Sequence, residues 1–222
     1  MRILVVAPHP DDETLGCGGT LLKHQTAGDE ISWCIVTAGY EPRVSAEFLA
    51  NREKEIDAVA AAFGFKKVIK LNHPTTRLDT VSQEQLISNF FEVIDSTRPD
   101  SIYLNHSGDV HSDHRVIFEA VMSAVKPFNT SRHGVKRILS YEVPSSTDQA
   151  TPGFRAPFVP TVFSDITPHI EKKLEIFSMF PVEVQPYPQP RALESIKALA
   201  RTRGATIGVE YAEAFMLLRE VC

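Results

Sequence analysis

Two short clusters of histidine and carboxylate residues hold the side chains best suited to chemistry. The first is His9-Pro10-Asp11-Asp12-Glu13; the second runs from Asn105 to His114 and packs three of the chain's eight histidines, His106, His111 and His114, into nine residues. Imidazole and carboxylate both bind divalent metals. Of two adjacent acids one can bind while the other stays free, because successive side chains cannot all point the same way. His111 and His114 are three apart, so both lie on one face if a helix starts near Ser112, serine being a favoured N-cap. Two imidazoles and one carboxylate make three protein ligands. That leaves a fourth position for water, which is the pattern of a catalytic rather than a structural zinc site. Such a water reaches a pKa near ~7 and supplies hydroxide at neutral pH. The chemistry implied is hydrolysis.

Blander readings exist for each cluster. Acids in a first helical turn complement the helix dipole, and a single histidine is commonly a solvated loop residue or a satisfied core residue. Gly16-Cys17-Gly18-Gly19 resembles a dinucleotide loop only loosely, because Pro8 to Glu13 already occupies the turn after the strand, where the glycine fingerprint should open. A phospho-accepting receiver domain would need a further Asp after the third strand, where Asn72-His73-Pro74 stands instead. What favours the metal site is that both clusters fall at one edge of the fold.

That edge follows from the hydrophobic pattern. Residues 2–7 form a short Ile/Leu/Val run ended by Pro8, as a strand buried on both faces reads. A helix over 14–27 follows, then a strand at 31–37, a helix at 46–63 capped by Gly64, a strand at 67–71, a helix at 84–96, a strand at 101–104, a helix at 113–125, a strand at 135–141 and a weaker strand at 162–166. Strands alternating with helices imply a mainly parallel sheet covered on both faces, a doubly wound, Rossmann-like α/β fold. In the strand order 3-2-1-4-5 the first and fourth strands are neighbours at the switch point, so both clusters face one crevice. Residues 144–160 and 181–190 are proline-rich and loop-like, placed to wall that crevice.

The 222 residues suit one domain over 1–222. A hydrophobic fraction of 43%, a charged fraction of 23% and a net charge of -5 describe an ordinary globular chain without a basic patch. The electrostatic footprint of a protein that binds nucleic acid or acidic lipid is therefore missing, a small substrate is favoured, and a peripheral role stays open. The apolar run after Arg2 is too short for a signal peptide, and no stretch approaches a transmembrane span. The expected location is cytoplasmic, and homo-oligomerisation stays open. Cys17, Cys34 and Cys222 include no Cys-x-x-Cys pair, which argues against a disulfide framework or thiolate zinc.

Pro8-His9-Pro10-Asp11-Asp12-Glu13 together with His111-Ser112-Asp113-His114 resembles the LmbE-like, or PIG-L, family of zinc N-deacetylases. The likeness extends to Thr37-Ala38-Gly39, to residues 52–55, and to a tail at 203–204 and 211–215. It implies one Zn2+ ion on His9, Asp12 and His114. It also implies Asp11 as general base, protonated His111 steadying the oxyanion, and Asp113 orienting a neighbouring histidine. Here Pro8 stands where the family usually has Ala, and Ser112 where it usually has Pro; neither position supplies a ligand. The family's substrates imply an N-acetylglucosamine-type sugar, free or conjugated, with Arg52, Arg191 and Tyr141 as candidates for contacting it and Pro144-Ser145-Ser146-Thr147 as its rim. The same ligand set would serve a metal-dependent amidase or esterase acting on a non-sugar substrate, or a binding module without catalysis.

Overall fold

The computed structural model of the chain describes residues 1–130, 134–151, 153 and 155–222. Its elements are β1 (Arg2–Ala7), α1 (Asp12–Thr26), β2 (Glu30–Ala38), α2 (Ala46–Phe63), β3 (Lys67–Pro74), α3 (Gln83–Thr97), β4 (Ser101–Asn105), α4 (Ser112–Ala124), α5 (Pro127–Thr130), β5 (Arg137–Tyr141), β6 (Val162–Asp165), α6 (Ile170–Phe177), α7 (Leu193–Ile207) and β7 (Ala212–Glu220). They build one seven-stranded sheet in the order β3-β2-β1-β4-β5-β7-β6. β1 to β5 are parallel, β7 runs antiparallel to β5, and β6 pairs antiparallel with β7. Among the described residues no helix is long and apolar enough to cross a membrane. The loop expected over 144–160 includes positions 152 and 154, which lie outside the described residues.

The pleat of β1 divides the core in two. Ile3, Val5 and Ala7 pack with Trp33, Ile56, Phe63, Phe177 and Ile196 on the side of α1, α2, α6 and α7. Leu4 and Val6 pack with Phe90, Val93, Ile117 and Val121 on the side of α3 and α4. Alternate residues of a strand face opposite ways, so this run must be apolar throughout. Each fully buried Ile, Leu, Val or Phe contributes roughly 1.5–3 kcal/mol by removing apolar surface from water.

The expected strand order and the helices on both faces are present. Four elements were not anticipated, the first being the short α5 after α4. α6 and α7 occupy a stretch without an assigned element, and β7 completes the sheet as an antiparallel strand next to β5. β7 brings Glu213 beneath α1. There α1 departs from helical geometry at Cys17 (φ -144°), and Glu213 accepts from the Gly19 and Thr20 backbone N–H groups at 2.8 and 2.7 Å and from the Thr20 hydroxyl at 2.6 Å. It thus caps the second half of a kinked helix. Lys173 of α6 neutralises it at 2.7 Å.

The glycines of Gly16-Cys17-Gly18-Gly19 have a packing reason. A Cβ at Gly16 would lie 2.1 Å from the Tyr141 ring, and one at Gly19 2.7 Å from Ile166. They let α1 sit close against β5 and the chain after β6.

Candidate metal centre

β1 ends at Ala7 and β4 at Asn105, and the two strands are paired neighbours. The loops leaving them therefore start side by side at the carboxyl edge of the sheet. The first turns into α1 through Asp11, whose φ of 143° is one that an L residue with a side chain rarely adopts. Such strain persists only where the surroundings enforce it, and it gathers at functional sites. The Asp11 backbone N–H donates to Glu13 Oε2 at 3.1 Å, which holds the turn. The second loop enters α4, whose N-cap is His111 rather than the expected Ser112: its Nδ1 accepts from the Asp113 backbone N–H at 3.2 Å.

Three donor atoms converge between the loops. His9 Nδ1 lies 3.1 Å from Asp12 Oδ2, Asp12 Oδ2 lies 3.3 Å from His114 Nε2, and His114 Nε2 lies 3.4 Å from His9 Nδ1. Two ligands about 2.1 Å from a tetrahedral ion are separated by about 3.4 Å, so the triangle has the dimensions a small divalent ion needs. The remote ring nitrogens are also anchored. His9 Nε2 meets Asp113 Oδ2 at 3.1 Å, and His114 Nδ1 meets Asp109 Oδ2 at 2.6 Å. Asp113 is fixed in turn by the Thr76 N–H at 2.8 Å and the Thr75 hydroxyl at 3.2 Å. Carboxylate-backed imidazoles are the usual outer support of a metal site.

The charges fit the same group. Asp11, Asp12, Glu13, Asp109 and Asp113 are all buried, and Asp12 Oδ1 has no hydrogen-bond partner. Burial disfavours the His9 imidazolium, but hydrogen bonds to Asp113 and Asp12 outweigh it and push the ring up to about 10. A cation is wanted at this position. Imidazole with carboxylate oxygen suits zinc and its first-row neighbours.

The ligand atoms of His9, His111 and His114 also lie within 4.8 Å of one another, so a three-imidazole set is a second arrangement. Asp12 Oδ2 touches both other donors, whereas His111 Nδ1 is occupied by a backbone N–H, so that His111 could offer an ion only its Nε2. That bond also fixes the His111 tautomer with the proton on Nε2. Burial, followed by the neighbouring His9 and His114, lowers its pKa to about 4. With Nδ1 accepting, the ring is arranged as a neutral imidazole with one N–H donor, whereas the resemblance implied a protonated one.

Asp11 stands beside this centre, and burial, with repulsion from Asp12, raises its pKa against the pull of Arg191. Arg191 donates to Asp11 Oδ2 at 2.8 Å, Glu183 Oε2 at 2.9 Å and Ser145 Oγ at 2.8 Å. Arg52 binds the other oxygen of Glu183 and lies 3.3 Å from Glu55. Both arginines line a cavity of about 640 Å³ that also includes His9, Asp11, His111, His114 and Ser146. Tyr141 does not: it is fully buried, and its hydroxyl donates to the Val6 carbonyl at 2.7 Å. Contrary to the expectation from sequence, Tyr141 does not reach the substrate cavity, since β5 directs it into the core. His106 likewise turns away, towards the Ala156 carbonyl at 2.9 Å.

Asp109 and Glu183 were not singled out from sequence. Asp109 stands inside the histidine cluster, where its position was the available signal. Glu183 lies in the proline-rich 181–190 wall.

A family model described as PIG-L, GlcNAc-PI de-N-acetylase, matches residues 4–125. The chain is similar to the uncharacterized deacetylase YaiS of Escherichia coli, 27% identical over 169 residues, covering 74% of this chain and 81% of that one. It is also similar to the diacetylchitobiose deacetylase of Thermococcus kodakarensis, 29% identical over 231 residues, covering 96% and 81%. Among solved structures, the conserved protein TT1542 of Thermus thermophilus superposes with a TM-score of 0.77 at 26% identity, covering 100% of this chain and 96% of that one.

Proposed function

The chain belongs to the PIG-L family, and from that premise we propose that it is a zinc-dependent hydrolase that removes the N-acetyl group from an N-acetylglucosamine-type sugar or its conjugate. The observation that carries this reading is the triangle of His9 Nδ1, Asp12 Oδ2 and His114 Nε2, with edges of 3.1 to 3.4 Å and Asp11 next to it in sequence. The names of the relatives, among them a diacetylchitobiose deacetylase, support the substrate class.

His9, Asp12 and His114 would hold the ion, which would supply a Lewis acid for the acyl carbonyl and lower the pKa of a water. Asp11 takes the proton of the attacking water, and its raised pKa suits a base that must later act as an acid. His111 donates its Nε2–H to the oxygen on which negative charge develops. As the C–N bond breaks, Asp11 passes the proton to the departing nitrogen, so that water has been added across the amide to give acetate and a free amine. Asp113 and Asp109 keep the two imidazoles in place and in the correct tautomer. Arg191, braced by Glu183, holds the Asp11 carboxylate against rotation.

The test is acetate release from free, disaccharide, nucleotide-linked and alkyl-linked N-acetylglucosamine, with and without a chelator. Chelator-sensitive release from at least one member supports the reading. Absence of release from every member overturns it.

A further inference from the structure

The cavity is larger than a sugar ring requires, and its far part has a different character from the metal centre. Beyond His9 and Asp11 it passes the C-terminal ends of β2 and β3 and runs under α2, where its apolar walls are Ile35, Val44, Phe48, Leu49 and Ile56, with Lys70 and Asn72 on the β3 side. Ile35 and Ile56 are buried, while Val44, Phe48 and Leu49 are partly exposed towards the opening. Gly39 lets Val44 and Leu49 pack close against the end of β2, since a Cβ there would stand 3.0 Å from Val44 and 3.3 Å from Leu49.

The cations along this route are engaged. Arg52 is paired with Glu55 and Glu183, Arg191 with Asp11 and Glu183, and Lys70 with Glu53. Arg43 donates to the Thr76 hydroxyl. The Arg52 and Arg191 guanidinium groups, already matched to carboxylates, are poor receptors for a phosphate, because binding it would compete with the half-buried Glu183 and leave the buried Asp11 without its partner; Arg43, which pairs with a neutral hydroxyl, is exposed to solvent. Apolar walls, in contrast, gain free energy from any carbon chain that displaces water from them.

We propose that this arm binds a neutral, apolar substituent of the substrate, a chain of several carbons carried next to the scissile amide. The inference rests on the reaction proposed above and adds its specificity. The chain has two possible origins, an acyl group longer than acetyl or an apolar aglycone on the sugar, and they share the chemistry that the arm recognises.

Two kinetic series separate these origins: glucosamine bearing N-acetyl, N-butyryl or N-hexanoyl groups, and N-acetylglucosamine bearing methyl, butyl or hexyl groups or a phosphate at C1. The expected result is that kcat/KM climbs along one series by up to about fourfold per methylene, the value of burying that group. The gain appears in KM, and the phosphate does no better than methyl. A rise along the acyl series assigns the arm to the acyl chain, and a rise along the glycosides assigns it to the aglycone. In Leu49→Asn and Val44→Ser the climbing slope should flatten towards one.

Calorimetry without turnover provides the independent readout, comparing hexyl with methyl glucoside and hexanoate with acetate. Tighter binding of a hexyl member in the wild type, lost in the two variants, supports the arm even if no substrate is hydrolysed and the reaction assignment fails. Flat or falling series with equal binding of short and long ligands, or a phosphate that outranks hexyl, would overturn it.

Discussion

Arg191 Nη1 lies 2.8 Å from Asp11 Oδ2, an ion pair that ties the residue proposed as general base to a loop 180 positions away. The same guanidinium reaches Glu183 and Ser145. The Asp11 carboxylate is therefore held by a side chain outside the donor triangle, on a backbone whose φ of 143° already restricts it.

Asp11→Asn keeps the shape of this group and removes its basicity. Turnover should fall by about 10²- to 10⁴-fold, the usual contribution of a positioned base. Metal content, measured by atomic emission, should stay at the wild-type level. Loss of metal together with activity would instead make Asp11 a ligand.

His111→Ala separates the two ligand sets. With His9, Asp12 and His114 as ligands, the variant keeps its metal and loses about 10²- to 10³-fold in kcat, the effect of removing one oxyanion donor. With three imidazoles as ligands, the variant would lose the ion. Metal stoichiometry decides between them.

Asp109→Asn weakens the 2.6 Å contact behind His114 without touching the donor triangle. Metal affinity should fall by about 10- to 100-fold, as read by competition with a chromogenic chelator, while the metal-saturated variant retains most of its activity.

Tyr141→Phe tests whether the Tyr141 hydroxyl serves the core and not the substrate. Loss of the hydrogen bond to the Val6 carbonyl should lower stability by about 1 kcal/mol in denaturant titration with kcat/KM unchanged. A selective rise in KM would return Tyr141 to the substrate site.

Glu213→Ala leaves the Lys173 ammonium buried and uncapped backbone N–H groups at Gly19 and Thr20. A loss of about 3–5 kcal/mol is expected in the same titration, the typical effect of breaking a buried ion pair.

The parallel core of the sheet was readable because β1, β2 and β4 are buried on both faces and so consist of nearly unbroken apolar residues. The two clusters were readable because unusual residue types sit at the ends of those strands. α7 was missed because its buried stripe is Ile196, Ala200 and Gly204. Small residues give little hydrophobic signal, and Gly204 is there for close approach to the 209–210 backbone. β7 was missed because a buried carboxylate, Glu213, interrupts its pattern, and its partner Lys173 is distant in sequence. The tautomer of His111 depends on a hydrogen bond that residue types alone do not specify, and the direction of the Tyr141 side chain depends on the pleat of β5.

The central claim is that hydrolysis depends on one ion held by His9, Asp12 and His114. Its most direct test is acetate release from N-acetylglucosamine substrates by chelator-stripped protein during titration with Zn2+. The account predicts no turnover in the stripped protein and a rise that saturates at one ion per chain, absent in Asp12→Ala. Turnover unaffected by stripping, or no turnover at full metal loading with any of the substrates, would contradict it.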